Sequence, residues 1–251
     1  MVLIDTHCHL VTDDFDIDRG EVIDRMIAKG VSRAVIICCD EDESRLGAQL
    51  RDENPGFRLS CGIHPQDLEY DCTSERLARF RDTVERYKAD MIGEIGLDYY
   101  SHPHTKEAQK RFFKAQLDLA SELGLPVDIH SRKAAADTYE TLKRYDLRGI
   151  IHSYSGSVEM ARLYVKLGYY ISFGASMMFP GSRKPAQVIA DMPLERLFIE
   201  TDAPYQSPVR DHRHEPADIV NIYEAICEIR GIGMEELALR LEKNWDELFG
   251  C

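Results

Sequence analysis

The chain has 251 residues, 44% hydrophobic and 30% charged, which is enough apolar material for a sizeable core and matches the length of an eight-stranded α/β barrel. Its formal net charge of −13 excludes a broadly basic face of the kind that grips nucleic acid nonspecifically, yet leaves room for a local phosphate site, above all where bound cations reverse the sign of the field. No run approaches the ~20 apolar residues of a membrane span, and no basic stretch followed by an apolar one opens the chain, so no membrane partner and a cytoplasmic location are expected.

Short β-rich runs alternate with helical patterns along the whole length, as βαβ units feeding a parallel sheet do. The predicted strands are Leu3 to His7, Ala34 to Cys38, Arg58 to Gly62, Met91 to Glu94, Val127 to His130, Gly149 to His152, Tyr169 to Phe173 and Leu197 to Thr201. Helical patterns between them include Ser74 to Tyr87, Thr105 to Leu123, Lys133 to Tyr145 and Val158 to Leu167. Pro180, Gly181 and Pro185 interrupt the seventh connection, leaving Pro185 to Ala190 as its helical stretch. Pro216 to Arg230 follows the last strand, and Glu235 to Phe249 adds a final amphipathic helix. No low-complexity linker divides the chain, so residues 1–251 are expected to form one domain. The seven cysteines include no C-x-x-C pair, and Cys38 and Cys39 lie in an apolar run, so buried reduced thiols are expected.

An open doubly wound sheet competes with a barrel for this element pattern, but no G-x-G-x-x-G follows an early strand. The ionisable residues fall at or just beyond strand C-terminal ends, where barrel enzymes place their chemistry. The expected fold is therefore an α/β TIM (β/α)8 barrel with an additional C-terminal helix.

Asp5-Thr6-His7-Cys8-His9 ends the first strand, and its two histidines, two residues apart, face one side because strand side chains alternate. The fourth strand delivers Glu94 between Gly93 and Ile95-Gly96 and runs into a loop with Tyr99, Tyr100, His102 and His104. The fifth and sixth strands are apolar runs terminating in His130 and His152, and the eighth ends in Glu200-Thr201-Asp202. Histidines serving only the core would scatter between both strand ends and the helices, whereas these groups converge on one barrel mouth. Nitrogen and carboxylate donors without thiolate suit Zn, Mn, Mg or Fe and do not choose among them. The donors exceed what one catalytic ion with an open position needs, so two divalent metal ions are expected, with Glu94 as the natural bridge.

Taken in order, Asp5-Thr6-His7-Cys8-His9, Gly62-Ile63-His64-Pro65, Gly93-Glu94-Ile95-Gly96-Leu97-Asp98-Tyr99, Leu125-Pro126-Val127 leading to His130, Ile151-His152 before Ser155-Gly156, Glu200-Thr201-Asp202-Ala203-Pro204-Tyr205 and Glu215-Pro216 span nearly the entire chain. In these motifs the sequence resembles the TatD family of metal-dependent deoxyribonucleases, within the amidohydrolase-like barrels. The resemblance implies that His7, His9 and Asp202 hold one metal, His130 and His152 the second, with Glu94 between them, and that His64 contacts substrate or water. His214 departs from the family, which commonly carries asparagine there after an arginine. Arg210, His212, Arg213 and His214 read either as a phosphate-binding basic loop or as a solvated charged one, and Arg132, Lys133, Arg183 and Lys184 would add positive charge at the same rim.

The expected reaction is hydrolysis of a phosphodiester, in DNA, by water that the metals activate and Asp202 orients or deprotonates. The acidic net charge favours a strand end or a flexible single strand over tight duplex binding, with Tyr99, Tyr100, Tyr154, Phe179 and Tyr205 as candidate stacking surfaces. Two alternatives stay open at this point: a metal hydrolase of amide or ester bonds, for example one releasing an aminoacyl group, and a non-catalytic metal-binding protein on the same barrel.

Overall fold

The computed structural model describes residues 1–69, 72–179, 181–209 and 212–250. Eight strands, β1 (Leu3–Cys8), β2 (Val31–Cys38), β3 (Phe57–Cys61), β4 (Met91–Asp98), β5 (Val127–Arg132), β6 (Gly149–Ile151), β7 (Tyr170–Phe173) and β8 (Leu197–Ile199), lie in chain order in one sheet, and every neighbouring pair is parallel. The Asp202 amide donates to the His7 carbonyl at 2.9 Å and the His9 amide to the Ala203 carbonyl at 2.8 Å, which joins the last strand's exit to the first. Inside that seam Asp5 accepts from the Thr201 amide at 3.0 Å and the Thr201 hydroxyl at 2.6 Å. The result is a TIM (β/α)8 barrel.

Parallel strands buried on both faces read as continuous apolar runs, and β2 shows why: Ala34–Cys38 is wholly inaccessible. β4 and β5 run two or more residues further at their C-terminal ends than the pattern suggests. β4 continues past Glu94 to Asp98 because, after a register shift between Ile92 and Ile95, Ile95–Asp98 pairs with Ile129–Arg132 of β5, which is lengthened with it. Gly96 makes this possible. Its φ is +146°, and a Cβ there would stand 2.0 Å from the His130 carbonyl oxygen, so only glycine lets the two backbones approach. β6 and β8 stop earlier than expected, leaving His152 and Asp202 beyond the ladder as the first residues of the mouth loops or close to them.

Helices α1 (Arg19–Ala28) and α2 (Glu41–Glu53) fill the first two connections. The others are α3 (Ser74–Tyr87), α4 (Lys106–Leu123), α5 (Ala135–Leu142), α6 (Val158–Lys166), α7 (Arg183–Asp191), α8 (Ile219–Arg230) and α9 (Met234–Phe249). Side-chain caps start several of them: Asp40 accepts from the Glu43 amide at 2.8 Å, and Ser157 from that of Met160 at 3.3 Å. α7 begins two residues before Pro185, which sits in the first turn where its missing N–H costs nothing; Pro180 lies outside the described residues.

The last helix sets the polarity of the molecule. Asn244 of α9 donates to the Leu194 and Leu197 carbonyls at 2.8 and 2.9 Å, at the start of β8, and Arg148, just ahead of β6, donates to the Leu248 carbonyl at 2.8 Å. With Trp245 and Leu248 buried, α9 covers the N-terminal end of the barrel, so the opposite end carries the open loops.

Cys8, Cys38 and Cys61 are buried free thiols, and burial pushes the Cys61 thiol up to about 11. Cys39 and Cys227 are half-buried, and Cys72 is exposed, contrary to the expectation of wholly buried thiols, because it lies on the loop before α3 rather than in a strand. Among the described residues no helix is long and apolar enough to cross a membrane.

Candidate metal centre

Alternation along β1 and its exit gives Asp5, His7 and His9 one common side, and the seam to β8 brings Asp202 against them. His7 Nε2 and His9 Nε2 are 3.1 Å apart, and Asp202 Oδ1 lies 3.5 Å from the first and 3.4 Å from the second. Glu94 reaches the same place from β4. Its Oε2 is 3.5 Å from His7 Nε2 and 3.9 Å from His9 Nε2. Its other oxygen, Oε1, faces three more imidazoles: His130 Nδ1 at 2.6 Å, His152 Nε2 at 3.2 Å and His64 Nε2 at 3.4 Å. One carboxylate therefore presents one oxygen to each of two nitrogen-rich halves. His7 and His152 stack at 3.9 Å between ring centroids, which joins the halves side by side.

Three imidazoles have a second buried carboxylate on the nitrogen turned away from this centre. Asp128 Oδ2 is 2.7 Å from His7 Nδ1, Glu200 Oε1 is 3.1 Å from His152 Nδ1, and Asp98 Oδ2 is 3.5 Å from His130 Nε2. Asp98 and Glu200 are themselves oriented by backbone amides: Tyr100 and Ser101 donate to Asp98, and Ser153 donates to Glu200. A carboxylate behind a histidine fixes its tautomer and orientation and makes the inward nitrogen a better donor. The i, i+2 pairs Asp128–His130 and Glu200–Asp202 carried a hint of this, since one member of each faces the centre. Local spacing gives Asp128, Glu200 and Asp98 no partner, because each serves a histidine on another strand.

The charges follow from the burial. Burial and neighbouring His152 both press His7 toward its neutral form, but Asp128 and Glu94 outweigh them and raise it to about 9. Burial likewise opposes the charged form of His152, yet Glu200 and Glu94 hold it well above its ordinary value, and His130 is raised by Asp98 and Glu94 against the same burial. Burial opposes ionisation of Glu94 as well, and His64, His152 and His130 nevertheless hold it well below the usual carboxylate range. Asp202 is lowered, its hydrogen bond with His9 overcoming burial. Asp128 is raised, because burial outweighs the pull of His7. The pocket thus demands positive charge at its centre, and protons or metal cations meet that demand.

The donor set fits divalent cations. His7, His9 and Asp202 form one group whose ligand atoms lie within 4.8 Å of one another; His7, Glu94 and His152 form a second, and His64, Glu94 and His130 a third. All are nitrogen or carboxylate oxygen donors, and the buried thiols take no part. His64 differs from the other imidazoles in one respect. The Gln66 amide donates to its Nδ1 at 3.3 Å, so a neutral ring carries its proton on Nε2 and points a donor, not a lone pair, into the mouth.

The rim differs from the sequence reading. Arg213 is tied to Asp18 at 2.7 and 2.8 Å and to Glu215 at 2.9 Å, His212 lies 3.0 Å from Asp218, and His214 is buried against the Tyr205 carbonyl at 3.0 Å. Asp18, Glu215 and Asp218 engage Arg213 and His212, which favours the charged-loop reading over the phosphate-binding one; Arg210 lies outside the described residues. Arg132 ends β5, Lys133 follows it, and Arg183 and Lys184 open α7; all four are exposed, with Arg132 over the Tyr100 ring at 4.4 Å. Tyr154 is in the core, its hydroxyl donating to the Ser157 carbonyl at 2.7 Å, so it offers no stacking surface, and half-buried Tyr99 donates to Asp137 at 2.8 Å.

A family model described as TatD related DNase matches residues 4–250. A Bacillus subtilis protein named "Uncharacterized metal-dependent hydrolase YabD" is 36% identical over 253 residues, covering 99% of each chain. A mouse protein named "Putative deoxyribonuclease TATDN3" is 31% identical over 260 residues, covering 98% of this chain and 88% of the relative. The crystal structure of YjjV, a TatD homologue from Escherichia coli, superposes with a TM-score of 0.92 at 30% identity, covering 99% of this chain and 98% of that one. An eight-stranded barrel with a histidine and carboxylate cluster at its open end, matched along its whole length, places this chain in the TatD family of metal-dependent hydrolases.

Proposed function

We propose that the chain is a deoxyribonuclease that hydrolyses phosphodiester bonds with two divalent cations, one held by His7, His9 and Asp202, the other by His130 and His152, with Glu94 shared between them. The carrying observation is the split of Glu94, one oxygen toward His7 and His9 and the other toward His130, His152 and His64. The family model's description and the mouse relative's name both point to DNA as the substrate class.

Bound cations supply Lewis-acid stabilisation of charge on the phosphoryl oxygens and lower the pKa of water. The protein's own groups do the rest. Asp202 has Oδ2 engaged by the Gln206 side-chain amide, which leaves Oδ1 directed at His7 and His9. Being ionised at neutral pH, it orients the attacking water and accepts its proton. His64, with Nε2–H facing the mouth, donates to a phosphoryl or leaving oxygen. Asp128, Glu200 and Asp98 keep His7, His152 and His130 in register while substrate enters.

The test is a substrate screen on the metal-loaded protein: end-labelled single- and double-stranded DNA beside a panel of carboxylic esters and amides, with metal content measured on the same sample. Cleavage of DNA and about two ions per chain are expected. Turnover confined to esters and amides would overturn the proposal.

A further inference from the structure

A phosphate is common to every nucleotide, so the cluster alone leaves the rest of the substrate unspecified. Among the described residues the exposed aromatic side chains are Tyr100, Phe179 and Tyr205, at 62%, 39% and 49% exposure, and all three stand on loops leaving the C-terminal ends of β4, β7 and β8. Among the described residues the most exposed aromatic side chains thus stand at the end of the barrel that holds the cluster. Tyr205 is the one of them in ring contact with it. Its centroid is 5.3 Å from that of His9, and the two planes meet at 73°, so the neighbouring imidazole does not lie flat on the phenol ring.

The turn bearing Tyr205 is held from several sides. Asp202 and Gln206 both adopt left-handed backbone conformations, with φ of 59° and 56°, which non-glycine residues keep only where their surroundings enforce them. The Tyr205 amide donates to the Asp202 carbonyl at 2.8 Å, and the Gln206 side chain reaches back to the Asp202 carboxylate. The remaining group, the Tyr205 carbonyl, accepts from Nδ1 of His214, which is 1% exposed and otherwise unused by the chemistry above. The Tyr205 backbone and the reacting carboxylate are therefore parts of one held turn, which roots the phenol ring beside the cluster.

We propose that Tyr205 stacks on the nucleobase adjoining the bond to be cut, and that His214 is the positioning residue that fixes it there; the idea rests on the phosphodiester reading above. Every base has a π-face, so such a contact selects nucleotides with an unstacked base, at a strand end or in a single strand, without selecting sequence.

The test uses the full chain and one single-stranded oligonucleotide in two versions, with 2-aminopurine or an abasic unit beside the cleaved bond. In metal-containing buffer the ratio of KM values, abasic over base-bearing, is expected to fall about tenfold in Tyr205→Ala and to persist in Tyr205→Phe. In chelator, where nothing is cleaved, wild-type protein should quench 2-aminopurine fluorescence and Tyr205→Ala should not. His214→Ala should lower the KM ratio with little change in kcat, and His214→Asn, which keeps a donor for the carbonyl, should restore it. An unchanged ratio and undiminished quenching in Tyr205→Ala, with DNA still cleaved, would overturn the stacking role and leave the nuclease reading standing. Tyrosine-dependent quenching with no cleavage of DNA by the wild type would do the reverse. A fall in kcat for His214→Ala that His214→Asn does not restore would overturn the positioning role.

Discussion

Asp128→Asn isolates what a buried carboxylate does for a histidine that is meant to meet a cation. Asp128 and His7 are both fully buried, and Oδ2 lies 2.7 Å from Nδ1. Asparagine is nearly the same size and keeps an acceptor, so the ring holds its place while the negative charge goes. Removing partners of this kind typically weakens metal binding by about 10- to 100-fold, or roughly 1.4 to 2.8 kcal/mol. The protonation of His7 should move with it. In the wild type His7 is raised to about 9, with burial and His152 opposing and Asp128 the largest favourable influence. At pH 7.5 its apo form is therefore protonated, and binding a cation must displace that proton. Without the carboxylate only Glu94 still favours the charged ring against burial and His152, so less of the ring should be protonated. Calorimetric titration of metal into the apo protein, repeated in buffers of different ionisation enthalpy, counts released protons directly. The variant should release fewer protons while binding more weakly; unchanged proton release and unchanged affinity would refute the reasoning that Asp128 governs His7.

Asp202→Ala should reduce turnover to background while the far-ultraviolet circular dichroism spectrum stays intact, and retained activity would remove Asp202 from the mechanism. Gly96→Ala forces a Cβ to within 2.0 Å of the His130 carbonyl oxygen at a φ of +146°, and should cost about 3 kcal/mol or more of stability in urea denaturation. The hydrogen bond from Arg213, with that from Arg25, lowers the half-buried Asp18 carboxyl to about 2. Its folded value lies below its unfolded one, so its stabilising effect is present above about pH 4 and lost as pH falls toward 2. The gap in urea midpoint between wild type and Asp18→Asn should accordingly narrow over that window; a gap independent of pH would contradict the ion pair.

The sequence by itself determined the order of elements and their direction. Apolar runs ending in histidine or carboxylate state which end of each strand is chemical, because the alternation of β structure and the 3.6-residue period of helices are local properties written in consecutive residues. It also brought forward His7, His9, His64, Glu94, His130, His152 and Asp202 as the residues to watch. Only the tertiary structure decided how these groups pair. That Asp128 serves His7 rather than His130, that Arg213 is spent on Asp18 rather than left for a phosphate, and that Tyr154 is core while Tyr205 is surface all depend on strands far apart in sequence becoming neighbours. Strand lengths depended on it too: β4 runs on to Asp98 because Gly96 allows contact with the His130 backbone. Local periodicity fixes which way a side chain faces along its own strand, whereas what it faces is set by barrel closure, and burial then forces each charged group onto whichever opposite charge the closure has brought within reach.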